Sequence, residues 1–295
     1  SFDAGFENKP GMSCAVYCND ENKLTYFRQV EKAMPAGSGK GRKSVKYVLE
    51  EFDVWTGTRI EVDTFSLPGM VKYFTNADKS TLYILEPSLI TIYDLVNKCI
   101  KGALRYPTAN RFGISVVANC VGCCLPAPDH DGDIIVICEV QYQGGFGGGS
   151  SASKLNLRFS ILNTGGYHGD YESGRWTTVE TNQIEGNGYD RFWLVPLSEH
   201  QIVLVRNEMK KVNTFGTGRS GSFTALNDKA TDSYLVDLRA KSALTQVDEF
   251  NGSHLTLPCL SFGDYTDLGE DVIFVTDQDS MIQINKDTLK VTHRQ

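Results

Sequence analysis

The stretch 111–142, RFGISVVANCVGCCLPAPDHDGDIIVICEVQY, constrains this chain more than any other. It holds two apolar runs rich in β-branched residues, 114–124 and 134–142, separated by a segment containing Asp131-Gly132, a dipeptide that accepts the positive φ of a tight turn. The pattern predicts strand, turn, strand. Both runs are nearly continuously apolar rather than alternating, which implies cover on both faces, as in the middle of packed antiparallel layers.

Further strands follow from the same reading. Leu155, Leu157, Phe159 and Ile161 alternate with Asn156, Arg158 and Ser160, the signature of a half-buried strand. One segment reads differently. Ser88 can cap a first turn, and Leu89, Ile92, Leu95, Val96, Cys99 and Ile100 recur at three- and four-residue steps, so the spacing predicts an amphipathic helix over 88–101, stopped by Gly102. Strands throughout with one helix make the expected class all-β, an antiparallel β-sandwich of jelly-roll type. No internal repeat of 20 to 50 residues is visible, which argues against a propeller or solenoid. The expected organisation is an N-terminal arm over 1–43 and a sandwich domain over 44–295. The Gly-rich segment 144–153 is the boundary if there are two sandwiches.

Charge and cysteine usage narrow the function classes. A net charge of -7 argues against general affinity for nucleic-acid phosphates, leaving one small basic patch, Lys40, Arg42, Lys43 and Lys46, as a local RNA contact. The eight cysteines are too sparse for a disulfide scaffold, and six sit in apolar runs where a reduced thiol behaves as a small hydrophobe. No apolar run approaches the length of a membrane span.

Candidate chemistry is thin. Cys120 and Cys123 form a Cys-x-x-Cys, but inside a strand their side chains would point to opposite faces, which disfavours a shared zinc. Asp129, Asp131 and Asp133 alternate like the start of a calcium loop, yet Ile134 stands where that loop needs Gly, so an acidic hairpin turn is the expected reading. The segment 35–44 lacks the spacing of a phosphate loop. No cofactor is expected. The loop 163–176 gathers Tyr167, His168, Tyr171 and Trp176, which could stack on a sugar or contact a receptor.

The ends Ser1 and Gln295, the all-β chain, the helix pattern SLITIYDLVNKCIK and Leu104-Arg105-Tyr106 leading into the central strands together resemble a capsid protein of the picornavirus-like type. The resemblance implies an eight-stranded jelly roll released from a polyprotein at Gln-Ser junctions and located in the virion, or in host cytoplasm during assembly. Its implied partners are other capsid subunits in a homo- or hetero-oligomer, genomic RNA and a host receptor. The expected function is therefore a structural, self-assembling coat subunit without enzymatic activity. The alternatives are a β-sandwich module recognising carbohydrate or a receptor through loop 163–176, and a β-rich enzyme whose site the sequence does not name.

Overall fold

The computed structural model describes residues 15–18, 23–29, 45–67, 71–76, 78, 80–107, 115–126, 132–143, 153–165, 176–181, 183–186, 190–214, 221–226, 232–239, 244–247, 272–276, 281–285 and 288–294. They form antiparallel sheets that follow chain order. The first sheet is β1 (Ala15–Cys18), β2 (Lys23–Gln29), β3 (Val45–Asp53) and β4 (Arg59–Leu67), and the second is β5 (Lys72–Thr75), β6 (Thr81–Glu86), β7 (Leu89–Asp94) and β8 (Cys99–Arg105). The third pairs β9 (Ser115–Leu125), β10 (Ile134–Gln143), β11 (Ser153–Asn163) and β12 (Thr177–Glu180), with β13 (Ile184–Gly186) also on β11. In the fourth, β14 (Arg191–Ser198) and β15 (Gln201–Asn207) are followed by a separate hairpin, β16 (Met209–Thr214) with β17 (Gly221–Leu226), before β18 (Asp232–Asp237) and β19 (Leu244–Val247) complete the sheet. A three-stranded sheet, β20 (Val272–Thr276), β21 (Met281–Asn285) and β22 (Val291–Arg294), lies nearest the C-terminus.

The all-β, antiparallel expectation holds, and the central strands fall where the sequence puts them. β9 and β10 pair from Ile134↔Leu125 to Gln143↔Ser115, with Gly132 at φ 117° in the turn between them. A Cβ at Gly132 would lie 2.4 Å from the Gly165 backbone nitrogen, so the position admits no side chain. Across the Gly-rich 144–152, β10 and β11 pair continuously from Ile134↔Asn163 to Gln143↔Lys154, so this segment joins two neighbours in one sheet.

Jelly-roll pairing is not what the strands adopt. A jelly roll interleaves strands distant in sequence. Each described sheet instead pairs strands near one another in sequence, and the first four sheets pack face to face in chain order. Phe27, Tyr47, Leu49 and Phe65 of the first sheet meet Tyr73, Leu82, Ile84 and Tyr93 of the second. The second sheet's other face, with Phe74, Tyr83, Leu85, Ile90 and Leu104, meets Cys124, Ile135, Ile137 and Leu162 of the third. The third sheet's opposite face, with Val136, Cys138, Leu157 and Phe159, meets Phe192, Leu194, Ile202 and Leu204 of the fourth. The continuous apolar run of β10 is thereby explained: Ile135, Val136, Ile137 and Cys138 are all fully buried, alternately against the sheets on either side. Burying one such aliphatic side chain is worth about 1.5–3 kcal/mol.

Burial is lowest at the last strands of the first four sheets. β14 is buried along its central six positions, whereas the last strands, β4, β8, β12 and β19, are largely exposed. The strands β5 and β14 each lie against β9. Specific bonds fix the seams: the Val71 N–H donates to Tyr47 Oη (3.1 Å), and the Tyr73 hydroxyl donates to the Phe27 carbonyl (3.3 Å). At the next seam the Tyr83 hydroxyl donates to Asp133.

The helix expected over 88–101 is corrected to a hairpin. Leu89–Asp94 and Cys99–Arg105 are β7 and β8, paired from Leu89↔Arg105 to Asp94↔Cys99. Ser88 is a turn residue at φ 74°, not a helix cap. Asp94 Oδ1 accepts from the backbone N–H groups of Val96 (2.9 Å) and Asn97 (2.8 Å), and Lys98 takes φ 54°, so a side-chain-stabilised turn closes the hairpin. The supposed stripe also fails as a core face: Val96, Cys99 and Ile100 are exposed, and Asp94 is buried.

Candidate functional site

The first strands of the second, third and fourth sheets bring charged groups to one junction. Along β5, Tyr73 packs toward the first sheet and Phe74 toward the third, so alternation turns Lys72 to the same side as Phe74. Phe74 lies directly over Gly122 of β9. A Cβ on Gly122 would sit 2.4 Å from Phe74 Cε1 and 2.9 Å from Ile137 Cδ1, so this glycine is what lets the two strands approach. Two residues earlier on each strand, Lys72 comes within electrostatic reach of Cys120, an arrangement that fits β5 and β9 running in the same direction. On the other flank of β9, Arg191 opens β14, and its charge acts on Lys72.

Lys72 is partly buried and meets another cation rather than a carboxylate. Burial first, then the Arg191 charge, pull its ammonium down to about 8, with Cys120 acting weakly in the opposite sense. Burial likewise pulls Arg191 below the usual guanidinium value. Among the described residues neither side chain has an ion pair or side-chain hydrogen bond. Two neighbouring cations without a carboxylate form a site whose electrostatic complement is an anion.

The wall of the site is polar but already occupied. Tyr106 donates its hydroxyl to the Glu86 carbonyl (2.9 Å), and its oxygen lies 3.5 Å from Cys120 Sγ. Behind Cys120 stands buried Glu139, opposite it in register, with Arg158 Nη1 3.7 Å from Glu139 Oε2. Burial pushes the Cys120 thiol up to about 12 and the Glu139 charge adds to this, outweighing the Tyr106 bond and the Lys72 charge. That thiol stays protonated at neutral pH, so Lys72, rather than Cys120, exchanges a proton near neutrality.

A second cation is built in the opposite way. Arg206 Nε donates to Asp190 Oδ2 at 2.9 Å, and its Nη1 donates to Asp232. Burial would lower the Arg206 value, but the two carboxylates outweigh it and hold the guanidinium above its ordinary range. This network ties β15 to β18 and to the residue preceding β14, and leaves the charge satisfied.

The residues singled out from sequence do not converge. Tyr167, His168 and Tyr171 lie outside the described residues. Trp176 is an anchor: its indole N–H donates to the Arg105 carbonyl (3.0 Å) and its ring meets Tyr106 edge-on at 6.4 Å. Asp129 and Asp131 lie outside the described residues, and Asp133 accepts from Tyr83 while its N–H donates to Thr164 Oγ1 (2.7 Å). Lys40, Arg42 and Lys43 also lie outside the described residues, while Lys46 sits on β3 opposite Ser66. Cys120 packs on the side of the second sheet and Cys123 on the side of the fourth, the divergence that strand alternation predicts. No group of three metal-ligating side chains occurs among the described residues.

Lys72 and Arg191 were not singled out from sequence. Their signal is slight: each is a lone cation at the head of a buried apolar strand, in KYF of β5 and RFWLVPL of β14.

No family model matches the chain, and no curated protein matches it. Among solved structures, the chain is similar to a protein assigned as a 6-phosphogluconolactonase of Bacteroides fragilis, at 10% identity and a TM-score of 0.36, over 94% of this chain and 81% of that one. It is also similar to an oligogalacturonate lyase of Vibrio parahaemolyticus, at 8% identity and a TM-score of 0.28, over 93% of this chain and 82% of that one. Neither likeness is strong enough to carry an activity to this chain. Both proteins are enzymes by name and neither is a coat protein, and the expectations of a capsid subunit and of a chain without enzymatic activity are corrected accordingly. The chain-order pairing agrees with that correction, because the interleaved strands of a jelly roll were its structural premise.

Proposed function

We propose that the face-to-face sheets form a propeller-like fan whose first strands line a common axis, and that Lys72 and Arg191 on this axis bind a small anionic molecule. The fan reading rests on three features: sheets stacked in chain order, exposure rising toward their last strands, and β5 and β9 running alike at the inner edge. The anion reading rests on one observation, two cations within electrostatic reach of each other and with no carboxylate partner among the described residues. In a site of this kind a lysine near pKa 8 is both a charge for the ligand and a proton donor or acceptor close to neutral pH. The chemistry supported is acid–base catalysis on a carboxylate- or phosphate-bearing substrate.

Isothermal calorimetry with inorganic phosphate and with citrate at pH 7 tests this. Binding should weaken by about tenfold to a hundredfold in Lys72→Met and in Arg191→Gln, as expected when one charge-assisted hydrogen bond is lost. Equal binding by wild type and both variants, or no binding of either anion by the wild type, overturns the proposal.

A further inference from the structure

The third strand of each of the first four sheets ends on Asp or Asn: Asp53, Asp94, Asn163 and Asp237. Each side-chain oxygen accepts the N–H of the residue two places on, from Trp55 at 2.9 Å, Val96 at 2.9 Å, Gly165 at 2.8 Å and Arg239 at 3.0 Å. The same turn is closed with an indole, an isopropyl group, a hydrogen atom or a guanidinium side chain at its tip, so the fold does not require an apolar group there. The first two sheets nevertheless place one there. Trp55, Ile60, Val96 and Ile100 are the exposed large apolar side chains among the described residues, Trp55 at 79%. All four fall in two short stretches, 55–60 and 96–101, that are exposed throughout. The Lys98 ammonium lies 2.9 Å from Glu51 Oε1 and Ile60 pairs with the same Glu51, so the two stretches sit side by side.

These stretches read WTGTRI and VNKCIK, with three cations and no carboxylate in a chain of net charge -7. Lys98 and Lys101 keep 47% and 49% of their side chains in solvent, while the carboxylates they meet, Glu51 and Asp94, are withdrawn to 12% and 4%. Arg59 lies over the Phe52 ring, 5.6 Å from its centre. What faces solvent here is apolar and positive. We propose that these two turns dock the first two sheets on an anionic lipid surface. Trp55 and Val96 at the tips, with Ile60 and Ile100 beside them, enter the headgroup layer, and the stems of Arg59, Lys98 and Lys101 carry their charges to lipid phosphates and carboxylates. The neighbouring backbone disfavours a strand of another chain as the occupant. β4 and β8 are the last strands of their sheets, and each carries an unpaired extra residue, Val62 and Lys101, within two residues of its exposed isoleucine. Bulges and charges of this kind blunt a sheet edge against strand addition, whereas a lipid layer needs no ladder of backbone bonds. The docking surface is separate from the anion site at Lys72 and does not depend on it.

Vesicle co-sedimentation of the full chain tests the proposal. Vesicles of equal parts phosphatidylcholine and phosphatidylserine should bring the chain down at low salt, phosphatidylcholine alone much less, and added salt should release it. Trp55→Ala and Val96→Asp should each weaken binding about tenfold while leaving the urea unfolding midpoint in place. Arg239→Ala, at the matching turn of the fourth sheet, and Lys72→Met should bind as the wild type does, and loss of binding in both would overturn the assignment to these two turns. Of the three tryptophans, Trp55 should report the docking, so the blue shift of emission on adding vesicles should vanish in Trp55→Phe. No sedimentation with the mixed vesicles, or sedimentation unchanged in Trp55→Ala and Val96→Asp, overturns the proposal. Self-association in lipid-free solution that Val96→Asp abolishes overturns it in favour of a second copy as the occupant.

Discussion

Arg206 and Lys72 are two cations drawn into the same body of stacked sheets, and the chain treats them in opposite ways. Arg206 is flanked by Asp190 and Asp232, and its guanidinium is held more firmly protonated than in water. Lys72 has Arg191 for a neighbour, and its ammonium is held less firmly than in water. Burial opposes both charges, so what differs is the partner. A buried charge answered from within the chain serves the fold. One left for an outside partner costs stability in the empty protein and marks a site.

The largest expected effect lies on the satisfied side. Asp190→Ala leaves Arg206 buried beside Asp232 alone and should cost about 3–5 kcal/mol in urea unfolding, the usual penalty for breaking a buried pair. A cost under about 1 kcal/mol would mean that the network is not structural. Next comes the contact that brings Lys72 to β9. Gly122→Ala drives a methyl group into Phe74 and Ile137 and should cost about 1–3 kcal/mol by overpacking. Phosphate binding should weaken in the same variant because the β5–β9 approach is forced apart.

Asp94 gives a smaller, pH-linked effect. Burial pushes its carboxyl up, but the Asn97 backbone and side chain together with Lys101 outweigh it and hold the value at about 2, below the ordinary 3.8. Its stabilisation is therefore present above about pH 4 and lost as pH falls toward 2. Asp94→Ala should cost about 1 kcal/mol at pH 7, and much less at pH 2.

The least effect on stability at neutral pH belongs to Lys72→Met, which removes a charge without a carboxylate partner among the described residues and should leave urea unfolding unchanged or slightly improved. Its signature is in alkali. The folded Lys72 titrates near 8 and the unfolded one near 10.5, so the unfolded chain holds more protons between those values. Wild-type stability should rise across that window with a slope of up to about 1.4 kcal/mol per pH unit. Lys72→Met should lose that rise.

Much of the sheet framework was legible from local pattern. The runs 114–124 and 134–142 are strands because their β-branched residues suit a backbone buried on two faces, and Gly132 provides the turn. The misread segment 88–101 shows the limit of periodicity. Two short strands joined by a four-residue turn reproduce three- and four-residue apolar spacing, and the Asp94-x-x-Asn97 turn chemistry was the signal that separated them. The succession of meandering sheets leaves no sequence period for a related reason. A meander requires only alternation, and connections as different in length as the two-residue turn at Pro87-Ser88 and the residues 144–152 erase any fixed period. The site was hidden more deeply. Lys72, Cys120 and Arg191 lie far apart in sequence, and their strands meet because β5 and β14 each pack against β9, which is a property of the stack and of no single segment.

The most direct test follows the Lys72 ε-carbon by nuclear magnetic resonance through a pH titration, with and without phosphate. The account predicts a midpoint near 8 in the free protein, moving upward when phosphate supplies the missing negative charge. A midpoint at the ordinary 10.5 that ignores phosphate would contradict it.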